Sequence, residues 1–375
     1  VVGMVETARN SGLKRLIGFD MGGTSTDVSA WSGEYERSND SEIAGVRLRA
    51  PMMKIHTIAA GGGLILEYRD GRYRVGPRSA GANPGPAAYR RCGPLTVTDA
   101  NVLLGRIPVS HFPRVFGVSG DESLDHAGVI KQFAELAKRV SAERGATVTS
   151  ESIAEGFLTV ATEAMANAIR KITIERGDDV RDFALCCFGG AGGQHACHVA
   201  DVLGMRQIWI HPLAGVLSAY GMGLSNIRVE RQQSVEAPLT DNSPVELAAR
   251  VEMLKKHCDE LLAEQNVAVA SRRISVSTGL RVAGSEYVLN VPFGAADAMA
   301  ADFLADYRRR FGTDTGSEQL IIATLQVEAT GIEREFYDPL IETSKVKAAS
   351  ESGKLYTSGN WRDVPIWRRG QLSAG

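Results

Sequence analysis

The chain has 375 residues, of which 44% are hydrophobic and 23% charged, an ordinary balance for a soluble globular protein and one that excludes a largely disordered chain. A formal net charge of −2 leaves no global basic field to gather nucleic acid or an anionic membrane, and no uninterrupted apolar run is long enough to span a bilayer. The five cysteines (Cys92, Cys186, Cys187, Cys197 and Cys258) are odd in number and fit neither a disulfide framework nor a zinc ribbon, which points to a reduced, cytoplasmic setting.

Leu16–Phe19 reads as a short buried strand, followed by a glycine-rich turn and a second strand over Val28–Trp31. Glycines cluster again at Gly61-Gly62-Gly63, and Asp70-Gly71 suits a two-residue hairpin turn. Ser79–Pro86 is a loop, with Gly81, Pro84, Gly85 and Pro86 close together. Asp99–Leu104 reads as a short capped helix ending at Gly105, and Asp125–Glu143 as a second helix. The clearest helix runs from about Ser152 to Glu175, where Ile153, Phe157, Val160, Ala161, Ala164, Met165, Ala168, Ile169 and Ile172 recur at three and four. Phe183–Phe188 is then a buried strand, and Gly189–Gly193, a helix over Ala196–Leu203 and a strand over Gln207–His211 complete a β-loop-α-β unit.

The polar, proline-flanked stretch Pro238–Pro244 marks a domain boundary. Beyond it come a helix to about Glu264, strands near Ile274–Arg281 and Tyr287–Val291, a helix near Ala298–Arg310 and a strand near Leu320–Glu328, an α+β pattern. Arg308-Arg309-Arg310 reads as a solvated helix face. The expected division is a first domain over 1–237, an α+β domain over 244–343 and an extended, partly disordered segment over 344–375.

The sharpest chemical signal is Asp20-Met21-Gly22-Gly23-Thr24-Ser25-Thr26-Asp27 between two strands. Glycines let backbone N–H groups crowd around a phosphate, and Thr24, Ser25 and Thr26 add hydroxyl donors. Asp20, at the strand end, is placed to hold a magnesium ion through water, since that ion takes carboxylate, water and phosphate oxygens. No GK[ST] is present and a strand follows, so this is neither a P-loop nor a dinucleotide fingerprint. A plain glycine-rich hairpin is the alternative reading.

The second signal is Phe188-Gly189-Gly190-Ala191-Gly192-Gly193-Gln194-His195, joining a buried strand to a helix. Its glycines allow a flat ligand such as an adenine to lie against the backbone, with the helix N-terminus aimed at negative charge; a tight turn without ligand is the alternative. His56 could polarise a substrate carbonyl or simply hydrogen-bond its loop. His195 could cap the helix or touch a nucleotide. Cys186 and Cys187 read as core, Asp99 as a helix cap, and Ser218 lacks the flanking glycines of a nucleophile elbow.

Asp20–Ser29 resembles the second phosphate loop of the superfamily that joins actin, sugar kinases and heat-shock chaperone ATPases, and Gly189–Gly193 resembles its adenosine loop. More narrowly, five segments in order resemble the hydantoinase A/5-oxoprolinase family: Gly18–Ser29, His56–Gly63, Val75–Ala87, Thr96–Asn101 with Leu104-Gly105-Arg106, and Cys187–Cys197. The likeness is strong over about residues 1–240 and looser beyond. Thr162-Glu163-Ala164, Gly284-Ser285-Glu286, Ala88 and Arg90-Arg91-Cys92 depart from the family's pattern, which bears on substrate identity more than on nucleotide binding.

The resemblance implies an α/β, ribonuclease H-like (actin-like ATPase) lobe with a mixed sheet flanked by helices, plus the smaller α+β C-terminal domain. It implies ATP and Mg²⁺ as cofactors, with Asp20 catalytic and metal-binding, Gly22, Gly23, Thr24, Ser25 and Thr26 at the phosphates, Gly189, Gly190, Ala191, Gly192 and Gly193 at the adenosine, and His56, Gly61, Gly62 and Gly63 as a substrate region. The implied reaction is ATP-dependent opening of a cyclic amide, 5-oxoproline first and a hydantoin next, by phosphorylation of the lactam oxygen. ATP-dependent ketone carboxylation and a non-catalytic nucleotide-binding module are the alternatives. Family members begin with a further lobe carrying the first phosphate loop, and oxoprolinase-type ones continue into a hydantoinase B-like region. This chain is therefore expected to be a fragment, weakly active alone, of a parent that forms homo-oligomers.

Overall fold

Alternation along the first strand decides the architecture of the N-terminal part. In this computed structural model, which describes residues 1–43, 46–315, 318–332, 349 and 351–368, the chain begins with α1 (Val2–Ala8), β1 (Leu16–Met21) and β2 (Thr26–Trp31). Two hairpins and a short strand follow: β3 (Arg37–Ile43), β4 (Val46–Met53), β5 (His56–Ile58), β6 (Leu64–Arg69) and β7 (Arg72–Ser79). Then come α2 (Val97–Leu103), α3 (His126–Arg144), α4 (Ser150–Ile174), β8 (Ala184–Phe188), α5 (Ala196–Leu203), β9 (Ile208–Trp209) and α6 (Leu217–Gly223). The central sheet has the order β5-β2-β1-β8-β9. β1 pairs antiparallel with β2 and parallel with β8, so the sheet is mixed.

Successive side chains on a strand point to opposite faces. Ile17, Phe19 and Met21 of β1, with Val28, Ala30, Leu185 and Cys187, join the main core together with Phe133, Phe157, Met165, Ile169 and Val199 of the helices. Leu16, Trp31, Ala184, Cys186 and Phe188 point the other way, against Met4, Val5 and Ala8 of α1 and Leu217 of α6. The sheet is buried on both faces, which is why these strands read as continuous apolar runs. Phe19, Phe133 and Phe157 are fully buried, and each such side chain contributes about 1.5–3 kcal/mol relative to exposure.

α4 follows the expected stripe except at Val160 and Ala164, which are exposed. The Asp70-Gly71 turn has positive φ at both residues, the geometry that matches the twist of a two-residue hairpin.

The chain divides into two compact units. The first takes residues 1–173 and 179–223 with residues 349 and 351–368; the second takes 174–178 and the described residues from 224 to 332. The second unit contains β10 (Ile227–Pro238), α7 (Ser243–Glu264), β11 (Arg272–Val282), β12 (Leu289–Pro292), α8 (Ala296–Phe311) and β13 (Leu320–Gly331). Its sheet runs β10-β13-β11-β12, antiparallel throughout, over a core that includes Leu254, Cys258, Leu262, Leu325 and Val327, and Leu280, Met299, Phe303 and Ile322.

The bounds differ from the expected ones. The second unit starts ahead of 238–244 because β10 pairs with β13 along its length, although Arg231 and Gln233 interrupt its apolar alternation. Nor are residues 351–366 simply extended. They form a hairpin, β14 (Glu351–Thr357) and β15 (Asn360–Ile366), whose Tyr356 joins the main core of the first unit and whose Tyr356 N–H donates to Leu104 O at 2.9 Å. Residues 344–348, 350 and 369–375 of the segment expected from 344, and residues 316–317 and 333–343 of the expected α+β domain, lie outside the described residues.

Candidate functional site

Asp20 lies on the even-numbered face of β1, the face that receives α1 and α6. That placement gives it a partner: Ser218 Oγ, on α6, donates to Asp20 Oδ2 at 2.8 Å. α6 is held close because Gly3 of α1 and Gly221 of α6 meet at the crossing, where a Cβ on either would collide with the other's backbone. The sequence carries no periodic signal for these two short helices, and nothing in it marks Ser218 as a support for Asp20.

Two glycine loops converge at this end of the sheet. The first, Gly22–Ser25, is closed by the Gly22 N–H donating to Ser25 O at 3.0 Å. The second follows β8, whose Phe188 lies beside Asp20 in the parallel ladder. Ala191 N–H donates to Met21 O at 2.9 Å and Gly189 N–H to Ala214 O at 3.0 Å. Gly189 adopts φ +84, and a Cβ there would stand 2.5 Å from Asp20 Oδ1 and 2.5 Å from Met21 O. Only glycine admits both that backbone region and that approach. Asp20 thus has Oδ1 close beside Gly189 and Oδ2 bonded to Ser218.

Both loops also show open backbone. Added Cβ atoms at Gly23, Gly190 and Gly193 would meet nothing within 4 Å, and Gly23, Thr24, Gly190 and Gly193 are exposed. Ser25 and Ala191 are half-buried, whereas Gly192 is buried with its Cα facing Cys187 Sγ. Thr26 departs from its expected role: it is fully buried and its hydroxyl donates to Ala60 O, so that donor is already committed.

The third glycine cluster also differs from its expected role. Gly61, Gly62 and Gly63 are buried beneath the first loop. Gly62 N–H donates to Gly22 O at 3.2 Å and Gly63 N–H to Gly23 O at 2.6 Å. A Cβ on Gly61 would come within 2.5 Å of the Thr24 backbone, and Gly62 O accepts from Thr98 N–H at 2.8 Å and Thr98 Oγ1 at 2.9 Å. These glycines brace the first loop from behind. His56 opens β5, half-buried and opposite Val28. Next to it, Thr57 Oγ1 donates to Asp27 Oδ1 at 2.6 Å, and Asp27 lies across the ladder from Asp20.

Asp99 closes the frame. It is the third residue of a capping box opened by Thr96, and its carboxylate accepts from the N–H groups of Ala87 (3.1 Å), Ala88 (2.8 Å) and Thr96 (2.7 Å) and from Thr96 Oγ1 (2.8 Å). Burial raises its pKa to about 6 against the lowering effect of those donors. It ties the Pro84–Ala88 segment to α2.

Beside the second loop, a cavity of about 290 Å³ is lined by Phe188, Gly189, Gly190, Gly193, Gln194, Ile210 and Arg106, among others. His195 is fully buried at the start of α5, and its side chain makes no capping bond. Its Nε2 instead meets Asn101 Nδ2 at 3.2 Å. Burial holds its pKa down at about 3, helped by the nearby Arg106 and His198 charges, so it is a neutral structural ring.

A family profile described as Hydantoinase/oxoprolinase matches residues 1–231. The chain is 38% identical over 374 residues to 5-oxoprolinase 1 of Arabidopsis thaliana, covering 96% of this chain and 30% of that protein. It superimposes on the crystal structure of the ATP-dependent caprolactamase from Pseudomonas jessenii with a TM-score of 0.82 at 26% identity, covering 98% of this chain and 54% of that one. A nucleotide-free acetone carboxylase has the same fold, with a TM-score of 0.69 at 19% identity over 99% of this chain and 55% of that one. The chain spans under a third of the length of the 5-oxoprolinase it matches.

Proposed function

The chain belongs to the hydantoinase/oxoprolinase family, and on that premise we propose that it supplies one wall of the nucleotide cleft of an ATP-dependent cyclic amide hydrolase. The observation that carries this reading is the convergence of the two glycine loops on Asp20, with Ala191 N–H bonded to Met21 O at 2.9 Å and Gly189 packed on the Asp20 carboxylate. The sheet order β5-β2-β1-β8-β9 supports a ribonuclease H-like lobe of the actin type: three antiparallel strands followed by two parallel ones.

In this reading the exposed backbone of Gly23 and Thr24, with the Thr24 and Ser25 hydroxyls, receives the phosphates, and Gly22 closes the loop beneath them. Gly189, Gly190, Ala191 and Gly193 receive the adenosine. Asp20 would hold magnesium through water: a single hard carboxylate beside open N–H groups suits an ion that keeps most of its waters and takes phosphate oxygens. Bound there, the ion would neutralise charge developing on the transferring phosphoryl group.

A lactam carbonyl is a poor electrophile. Its oxygen attacks the terminal phosphorus, the bond to ADP breaks, and the resulting phosphorylated imidate is attacked by water at carbon. The C–N bond then opens to leave the free amine and an acyl phosphate, and a second water attacks the acyl carbon, so that phosphate leaves with the former lactam oxygen and the carboxylate takes both its oxygens from water. 5-Oxoproline is the first-choice substrate because the relatives at 37–38% identity include several called 5-oxoprolinase, whereas the caprolactamase subunit stands at 29%. The opposing phosphate loop and much of the substrate site would come from other parts of the assembled enzyme.

Turnover of 5-oxoproline labelled with oxygen-18 at the lactam carbonyl, by the longest polypeptide that contains this sequence, tests the chemistry. The label should appear in inorganic phosphate. Retention of all label in glutamate would contradict this route.

A further inference from the structure

Arg106 follows α2 at a turn fixed from two sides. Its N–H donates to Asn101 O at 2.9 Å, and Gly105, at φ +73, packs on Lys354 O of the β14–β15 hairpin. The side chain crosses to the second glycine loop, where Nη1 donates to Gln194 O at 3.4 Å and Nη2 meets His198 Nε2 at 2.8 Å. Among the described residues no carboxylate pairs with this half-buried guanidinium. Glu155 acts on it electrostatically without forming an ion pair, while burial weakens its hold on its proton; a half-desolvated cation with no hydrogen-bonded carboxylate gains from a further partner.

Arg106 borders the 290 Å³ cavity whose other walls are Gln194, glycine backbone and the apolar groups of Cys187, Phe188, Ile210 and Ala214. That lining is wrong for a phosphate, which needs several converging donors, and right for a flat heterocycle. A guanidinium plane stacks on such a ring and offers unused N–H donors at its edge.

Resting on the nucleotide-cleft reading, we propose that Arg106 is the base-recognition residue of the cavity, stacking on the purine of the bound nucleotide. The C-terminal hairpin, by fixing the Gly105 turn, holds it there.

The test uses Arg106→Met, which keeps the stem but removes the guanidinium, and Arg106→Lys, which keeps the charge but not the plane. Affinities for Mg-ATP, adenosine and inorganic tripolyphosphate are measured by calorimetry and competition with the longest polypeptide containing this sequence, and folding is checked by thermal melting. Arg106→Met should weaken ATP and adenosine about tenfold, equivalent to ~1.4 kcal/mol, and leave tripolyphosphate unchanged, with Arg106→Lys recovering little. Equal weakening of ATP and tripolyphosphate would make Arg106 a phosphate ligand and overturn the assignment. Unchanged ATP affinity in a folded Arg106→Met variant would overturn it too, while leaving the cleft intact. Failure of the wild type to bind ATP would overturn the cleft and this assignment together.

Discussion

Replacing Gly189 by alanine tests whether the two glycine loops are joined as tightly as the geometry says. The residue sits at φ +84, and the added methyl would stand 2.5 Å from both Asp20 Oδ1 and Met21 O and 2.8 Å from Met21 N. The left-handed backbone costs an L-residue about 1–2 kcal/mol. Two of the three contacts are with strand backbone that cannot swing aside, so overpacking adds roughly 1–3 kcal/mol. The sum, about 2–5 kcal/mol, corresponds to a fall in melting temperature of roughly 4–20 °C for a unit of this size. Gly190→Ala is the control, because a methyl there meets nothing within 4 Å and the backbone is not left-handed. Differential scanning calorimetry on both variants, with Mg-ATP titrations alongside, should show Gly189→Ala destabilised and Gly190→Ala melting like the wild type but binding nucleotide more weakly. Wild-type stability in Gly189→Ala would refute the packing argument, and a destabilised Gly190→Ala would show that its open side is occupied by protein.

Three further outcomes follow from the same contacts. Ser218→Ala should leave the melting temperature within about 1 °C but lower the turnover number roughly tenfold with KM little changed, because Asp20 Oδ2 loses its donor; Ser218→Thr should retain most activity. Asp99 has a folded-state pKa near 6, above its ordinary 3.8. The native state therefore holds a proton that the unfolded chain releases, and stability from this residue falls as pH rises from about 4 to 6, by on the order of 3 kcal/mol in all. Denaturant titrations should show that decline in the wild type and a flatter profile in Asp99→Asn, which is itself less stable at pH 7 because the amide cannot accept all four donors. His195, with its pKa near 3, should show no imidazole titration between pH 5 and 8 by NMR.

What was legible in the sequence was whatever carried strong period or punctuation. The buried strand Ala184–Phe188, the helix Ala196–Leu203 and the 25-residue α4 stand close to where apolar spacing and glycines put them. The two glycine loops stand out in the sequence, and the structure brings their backbones together across a parallel strand pair. What was hidden was hidden for physical reasons. α1 and α6 are seven residues each and pack through glycines, so no apolar stripe announced them, and with them went the Ser218 contact. Polar residues fill most of β10, with Arg231 and Gln233 breaking its apolar alternation, and its pairing with β13 is what makes it a strand. Gly61–Gly63 and Thr26 looked like ligand-facing groups because loose and close-packed glycine segments have the same composition; only tertiary contact separates them. Asp99 looks like the cap itself in the sequence, whereas it is the reciprocal member of a box opened by Thr96.

The central claim is that Asp20 and the two glycine loops belong to a cleft in which ATP cleavage is coupled to a cyclic amide. The most direct test is steady-state ADP release by the longest polypeptide containing this sequence, with and without 5-oxoproline, in the wild type and in Asp20→Ala. The account predicts release stimulated by 5-oxoproline, with glutamate formed alongside, and the loss of both in Asp20→Ala. ATP binding with no stimulation by 5-oxoproline or any other cyclic amide would contradict it, as would full coupled turnover in Asp20→Ala.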